Sequence, residues 1–229
     1  MSDTKIHVYF MPGMAANPSI FKNIVLPSGT FETHLLEWFV PEKNMSLVEY
    51  AQKMNKQILQ NDAVLIGVSF GGMLVQQMAS LKAVRKVIII SSVKDAAEMP
   101  KRMVIAKYTK IHKLLPTGLV NNVELLAKYA FGETVTKRLA LYEEYLSLRD
   151  KVYIDWSINQ IVSWKQPYLS DCLVHIHGEK DAVFPIGNIK NCISVKNGTH
   201  TMIIHRAKWF NENLPTIILQ EASCSINFE

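Results

Sequence analysis

The segment Gly67-Val68-Ser69-Phe70-Gly71-Gly72 lies between the apolar run Ala63-Val64-Leu65-Ile66 and the helical run Met73-Leu74-Val75-Gln76-Gln77-Met78-Ala79-Ser80. It constrains the fold more than any other stretch, because a buried strand must here turn sharply into a helix with a serine at the turn. Larger neighbours would drive Cβ atoms into adjacent backbone, which is the physical reason for Gly67 and Gly71. The turn also places Ser69 at a helix N-terminus, where free N–H groups and the helix dipole favour developing negative charge. The Phe70 N–H is therefore a candidate oxyanion donor.

The strand at 63–68 is one of five short apolar segments rich in β-branched residues, the others being 6–10, 86–91, 172–177 and 192–195. Longer segments with helical periodicity separate them, at 46–59, 73–81, 154–164 and 201–213. Strands alternating with helices predict a mostly parallel sheet with helices packed on it. A further strand is expected at 35–40, closed by Pro41 and followed by a helix cap at Ser46. The stretch 93–151 breaks this rhythm, being long, helix-rich and basic. It reads as an inserted helical segment in a single domain whose α/β core is formed by 1–92 and 152–229. A chain of 229 residues with 48% hydrophobic side chains can bury one such core.

A serine hydroxyl is a weak nucleophile at neutral pH, so a nucleophilic Ser69 demands a histidine base and a carboxylate behind it. Both follow in chain order. After the strand at 172–177 comes His177-Gly178-Glu179-Lys180-Asp181, with Asp181 in the loop; after the last strand, Asn197-Gly198-Thr199-His200 puts a histidine in a loop before a helical run. Asp181 is the preferred acid, with Glu179 and Asp95 as rivals, and His200 is the predicted base. His7 and His175 lie in apolar strands and read as sheet or core histidines; His34, His112 and His205 read as surface or helix residues. His175 and His177 share a strand face, as a metal pair would, but spacing places no third ligand beside them. At the end of the first strand, Met11-Pro12-Gly13-Met14-Ala15-Ala16 is a small-residue loop where α/β sheets bind ligands. The Met14 N–H is the second candidate oxyanion donor, and Gly13 a candidate substrate contact.

The order Ser69, Asp181, His200, with its glycine elbow and its HGxxD and NGTH loops, resembles the α/β-hydrolase superfamily over most of the chain. The resemblance implies a parallel sheet whose strand-end loops build the site and a helical cap over it, the place taken by 93–151. Three departures stand out. The first strand corresponds to the family's third, so the sheet is trimmed; Pro12-Gly13 replaces the usual HG; and Trp38-Phe39-Val40-Pro41-Glu42 stands where a D-x-x-G-x-G segment is common. Serine at the elbow favours acyl transfer over the dehalogenating and epoxide-opening relatives, which use aspartate there.

The implied activity is hydrolysis of an ester or thioester of a small acyl substrate, with no metal and no organic cofactor. The alternatives are a lyase or C–C bond hydrolase on the same three residues, and a silent small-molecule receptor. Met99, Met103, Tyr129 and Phe131, with Phe70, are candidates for an apolar acyl pocket. Lys101, Arg102, Lys107, Lys110 and Lys113 give the insertion a basic helix face beside Val104, Tyr108, Ile111 and Leu115. Either the charge is solvated while the apolar stripe packs on the main domain, or the stripe roofs the pocket while the charge steers anionic substrates, or the face makes reversible membrane contact. The formal charge of +5 is scattered, so a small-molecule partner is expected and a nucleic acid is not. No apolar run is long enough to span a bilayer and the start lacks signal-peptide features, so stable membrane insertion is not expected and a cytoplasmic location is. Cys172, Cys192 and Cys224 read as free thiols, and the oligomeric state is not specified.

Overall fold

The structure is a computed structural model, and it describes residues 5–109, 144–165 and 173–220. Six strands form one sheet, every neighbouring pair parallel: β1 (Ile6–Met11), β2 (Phe31–Leu35), β3 (Val64–Val68), β4 (Lys86–Ile90), β5 (Leu173–Gly178) and β6 (Ile193–Val195), in the order β2-β1-β3-β4-β5-β6. Among the described residues the α-helices are α1 (Leu47–Asn55), α2 (Phe70–Ala79), α3 (Lys101–Thr109), α4 (Lys151–Val162), α5 (Met202–His205) and α6 (Ala207–Leu219).

The central strands carry apolar residues on both sides because both faces of the sheet are covered. One face packs Tyr9, Met11, Leu65 and Ile89 against Tyr50 and Met54 of α1, Leu74 and Met78 of α2, and Tyr153 of α4. The other packs Val8, Phe10, Ile66 and Ile88 against Phe210, Leu214 and Ile218 of α6. Ser46 starts α1 with a capping box, its hydroxyl accepting from Glu49 N–H while the Glu49 carboxylate accepts from Ser46 N–H. Lys86, buried at the start of β4, donates to the carbonyls of Ile217, Ile218 and Gln220, which satisfies the C-terminal end of α6.

The sixth strand is real but lies at 31–35 rather than 35–40. It pairs with β1 in the register Ile6↔Phe31 to Phe10↔Leu35 at the edge of the sheet, and an edge strand needs no continuous apolar run. Glu32 and Thr33 are exposed, so the segment carries little hydrophobic signal, whereas the apolar Leu36 and Trp38 are buried in the loop beyond it. The helix expected over 201–213 is divided at Arg206 into α5 and α6. Between β4 and β5 the described residues hold a 3-10 turn (Ala96–Glu98), α3 and α4.

The topology sets where ligands can enter. From β1 the chain crosses to β2 on one side, whereas from β3 it crosses to β4 on the other. The loops leaving β1 and β3 therefore part at their carboxyl ends and open a crevice between two adjacent strands. The loop at 12–16 and Ser69 are the two segments that flank it.

Candidate active site

Ser69 holds φ 53° and ψ −120°, a conformation L-residues rarely adopt, at the junction of β3 and α2. Backbone bonds on either side hold it there: its N–H donates to Ile90 O at 2.9 Å, and its carbonyl accepts from Gly72 N–H at 2.9 Å and from the Ser92 hydroxyl at 2.7 Å. A Cβ on Gly67 would lie 2.3 Å from Gly71 O, and a Cβ on Gly71 would lie 2.3 Å from Pro12 O. Glycine is therefore a steric requirement at both positions. The second contact also shows that the loop after β1 rests directly on the elbow.

Ser69 Oγ lies 2.9 Å from His200 Nε2, and His200 Nδ1 lies 2.9 Å from Asp181 Oδ2 and 3.1 Å from Oδ1. A carboxylate only accepts, so His200 Nδ1 carries the proton and Nε2 turns its lone pair to the Ser69 hydroxyl. His200 and Asp181 are buried, whereas Ser69 is half-buried at the end of the chain of bonds. Asp181 Oδ1 also accepts the N–H groups of Val183 at 2.8 Å and Phe184 at 2.9 Å, which fixes the carboxylate in its own loop. Burial by itself would push the Asp181 carboxyl up. The His200 charge and hydrogen bond, the Phe184 N–H and His177 outweigh it and hold the group below the usual carboxylate range. The rivals face elsewhere: Glu179 accepts from Asn197 N–H, and Asp95 caps the 3-10 turn through Ala97 N–H.

The loop after β1 is braced from two sides. Trp38 donates its indole N–H to Gly13 O at 2.8 Å and stacks on Phe70 at 4.9 Å between ring centres. Ala15, at φ 61°, donates its N–H to the Tyr153 hydroxyl at 3.1 Å. Gly13 comes so close that a Cβ there would lie 3.5 Å from Ser69 Cβ. Phe70 is the first residue of α2, and neither its N–H nor that of Met14 has a backbone acceptor among the described residues. Trp38 belongs to the segment in which the sequence departs from the superfamily's common pattern, and Tyr153 is contributed by α4. Neither was identifiable as a site residue from spacing, because each acts through a contact between chain-distant elements.

A pocket enclosing about 590 Å³, including its open mouth, meets Ser69 and His200. Of the residues singled out in the sequence, Gly13, Met14 and Met103 line it, together with Ile161 of α4, Val183, Phe184 and Ile203. Met99 was expected there, but it packs in the core, since its N–H closes the 3-10 turn and its side chain follows inward. Tyr129 and Phe131 lie outside the described residues, as do Lys110, Ile111, His112, Lys113, Leu115, Cys172 and Cys224. On α3, Val104, Ile105 and Tyr108 are exposed and no residue is buried, so the expected apolar stripe is not packed against the described parts of the main domain.

Behind Asp181 lie two further buried histidines. His177 Nε2 is 2.8 Å from Phe184 O and 3.5 Å from Asp181 Oδ2, and its Nδ1 is 3.0 Å from His175 Nε2. The two share a strand face as expected, but they bond to each other. Burial pushes both rings below the ordinary histidine range, His175 well below it; His177 adds to the effect on His175, whereas at His177 Asp181 and the Phe184 carbonyl work against burial without reversing it. The sign of the stability effect follows. Below about pH 6.5 the unfolded chain takes up protons on these rings that the folded chain refuses, so stability falls with falling pH. The unfolding free energy measured by urea titration is expected to drop between pH 7 and pH 5, by at most about 1.4 kcal/mol per pH unit for each histidine. His175→Phe should flatten that slope, and an unchanged slope would show that the buried pair does not carry it.

No protein-family model matches the chain, and no curated protein matches it by sequence. Solved structures do match it in three dimensions. A bromoperoxidase from Bacillus anthracis matches with a TM-score of 0.67 at 17% identity, covering 95% of this chain and 93% of that one. The enol-lactonase from Burkholderia xenovorans LB400 matches with 0.67 at 13%, covering 95% and 92%. Est816, described as an N-acyl homoserine lactone degrading enzyme, matches with 0.64 at 19%, covering 93% of each chain. The sheet order, the strand-to-helix elbow and these matches together define the fold as that of the α/β-hydrolases. Among the described residues the sheet has six strands, all parallel.

Proposed function

We propose that this protein is a serine hydrolase that cleaves an ester or thioester of a small acyl substrate, with Ser69 as nucleophile, His200 as general base and Asp181 as the acid that orients it. The observation carrying this reading is the unbroken line of hydrogen bonds from Asp181 through His200 to Ser69 Oγ, ending in a pocket at the crevice between β1 and β3. In the mechanism, His200 Nε2 takes the Ser69 proton as Oγ attacks the carbonyl carbon, and Asp181 stabilises the resulting imidazolium. The N–H groups of Met14 and Phe70 hold the oxyanion, supported by the helix dipole of α2. His200 returns the proton to the leaving alcohol or thiol, then activates water to release the acyl group from Ser69. The chain itself supplies every group this cycle requires, so no cofactor enters.

The structural neighbours described as an enol-lactonase and an N-acyl homoserine lactone degrading enzyme are consistent with acyl-oxygen cleavage. Met103, Ile161, Val183, Phe184 and Ile203 give the pocket an apolar lining, which suits a short aliphatic acyl chain better than a charged one. Residues 93–151 form the cap in this reading and 1–92 with 152–229 the core, with Met103 reaching from the cap into the pocket.

A fluorophosphonate probe tests the proposal, because phosphonylation needs an activated serine rather than an exposed one. The unmodified chain is expected to take the label at Ser69 and to hydrolyse short p-nitrophenyl esters. Labelling with turnover of diketones but not of esters would move the protein to the C–C bond hydrolases. Absence of both label and turnover in the folded chain would make the pocket a binding site.

A further inference from the structure

We propose that His7, Glu32 and His34 form a binding site for a divalent transition metal of the zinc class, separate from Ser69 and its pocket. The three side chains come from the two strands at one edge of the sheet. Glu32 and His34 are two residues apart on β2 and so share a face. His7 stands on β1 directly opposite Glu32 in the parallel register, on the same face as Tyr9 and toward the strand end opposite Pro12-Gly13.

His7 Nδ1 and His34 Nε2 are 2.9 Å apart, and Glu32 Oε1 is 3.9 Å from His34 Nε2. All three ligand atoms lie within 4.8 Å of one another, the only such His, Cys, Asp and Glu group among the described residues. A tetrahedral zinc with bonds of about 2.0–2.1 Å keeps its ligand atoms roughly 3.3 Å apart. The imidazole pair needs to open by only a few tenths of an ångström to meet that spacing, and the exposed Glu32 carboxylate can close the third side by a rotamer change. The rings are half-buried, and His34 is stacked on Tyr9 at 4.3 Å between ring centres with 15° between the planes. The Tyr9 hydroxyl is in turn tied to Gln60 at 2.5 Å, so the His34 ring is held by a fixed second layer.

Two imidazoles and one carboxylate suit zinc, nickel, cobalt or copper, whereas magnesium and calcium prefer an all-oxygen set. In the metal-free protein one ring N–H must point at the other ring's lone pair. Binding moves that proton to the outer nitrogen of its own ring, with no net change in charge on the protein, and leaves both inner nitrogens free to ligate. The ion would tie the edge strand β2 to β1, so its binding should raise Tm.

The test uses the full, tag-free chain stripped with a chelator and titrated with Zn²⁺ in a calorimeter. One binding event per chain and a higher Tm are expected, with Mg²⁺ producing neither. Glu32 is exposed, so Glu32→Ala keeps the fold, and it should weaken Zn²⁺ binding by at least ~10-fold. The double variant His7→Gln/His34→Gln should lose the event. The proposal is overturned if the unmodified chain takes up no Zn²⁺, or if either variant binds it as tightly as the unmodified chain does.

Discussion

Replacing Ser69 with alanine is expected to lower kcat for a p-nitrophenyl ester by on the order of 10⁵-fold. His200→Ala should match it within roughly tenfold, because the two side chains act as one unit: without the base the hydroxyl keeps its proton, and without the hydroxyl the base has nothing to activate. Asp181→Asn leaves an Oδ1 to accept from Val183 and Phe184, so its loop should survive. Its amide can no longer enforce a proton on His200 Nδ1, and a loss of about 10⁴-fold is expected. A residual activity in Ser69→Ala within tenfold of the unmodified chain would remove Ser69 from the reaction.

The same position carries a second readout. At φ 53° and ψ −120° Ser69 is strained in a way only glycine relieves. Ser69→Gly should therefore be as inactive as Ser69→Ala yet more stable than it, by about 1 kcal/mol after the flexibility glycine adds to the unfolded chain is discounted. Equal stability of the two variants would mean that the elbow stores no strain.

Gly71→Ala is the substitution expected to cost the fold most. Its new methyl would lie 2.3 Å from Pro12 O and 2.6 Å from Met11 O, both backbone atoms at the end of a central strand that no rotamer change can move. A loss of about 3 kcal/mol or more follows, or roughly 6–12 °C in Tm for a domain of this size. Activity should fall as well, because relief of the clash pushes Pro12 and the Met14 N–H away from Ser69. Gly187→Ala serves as control, since a Cβ there meets nothing within 4 Å, and it should shift stability by no more than about 0.5 kcal/mol. A Gly71→Ala chain with unchanged Tm would show that the elbow and the loop after β1 are not in rigid contact.

The convergence of Ser69, Asp181 and His200 on one line of hydrogen bonds was legible in the chain because each sits just after a strand whose apolar run announces it. Ser69 follows 63–68, Asp181 follows 172–177 and His200 follows 192–195. A parallel sheet brings all its carboxyl ends to one edge, so loop position after a strand amounts to spatial position. The glycines of the elbow were legible for a related reason: their requirement is local, set by atoms within a few residues or by the strand next door. Alternating strand and helix patterns likewise specified the layered architecture, as burial on both faces leaves a strand no polar side to display.

The edge strand, the braces of the loop after β1 and the pocket lining were decided only by tertiary structure. At the sheet edge one side of β2 meets solvent, so Phe31-Glu32-Thr33-His34-Leu35 has no apolar signature, and its pairing with β1 is what places Glu32 and His34 opposite His7. Trp38 bonded to Gly13 O and Tyr153 bonded to Ala15 N–H join segments 25 and 138 residues apart along the chain. Met99 and Met103 are four residues apart and equally apolar, yet one is core and the other meets the pocket. Periodicity and propensity act over a turn or two of chain, whereas these outcomes depend on which distant surface arrives alongside. Sequence position therefore specified which loops carry Ser69, Asp181 and His200 to one edge of the sheet, and packing decided what holds them in place.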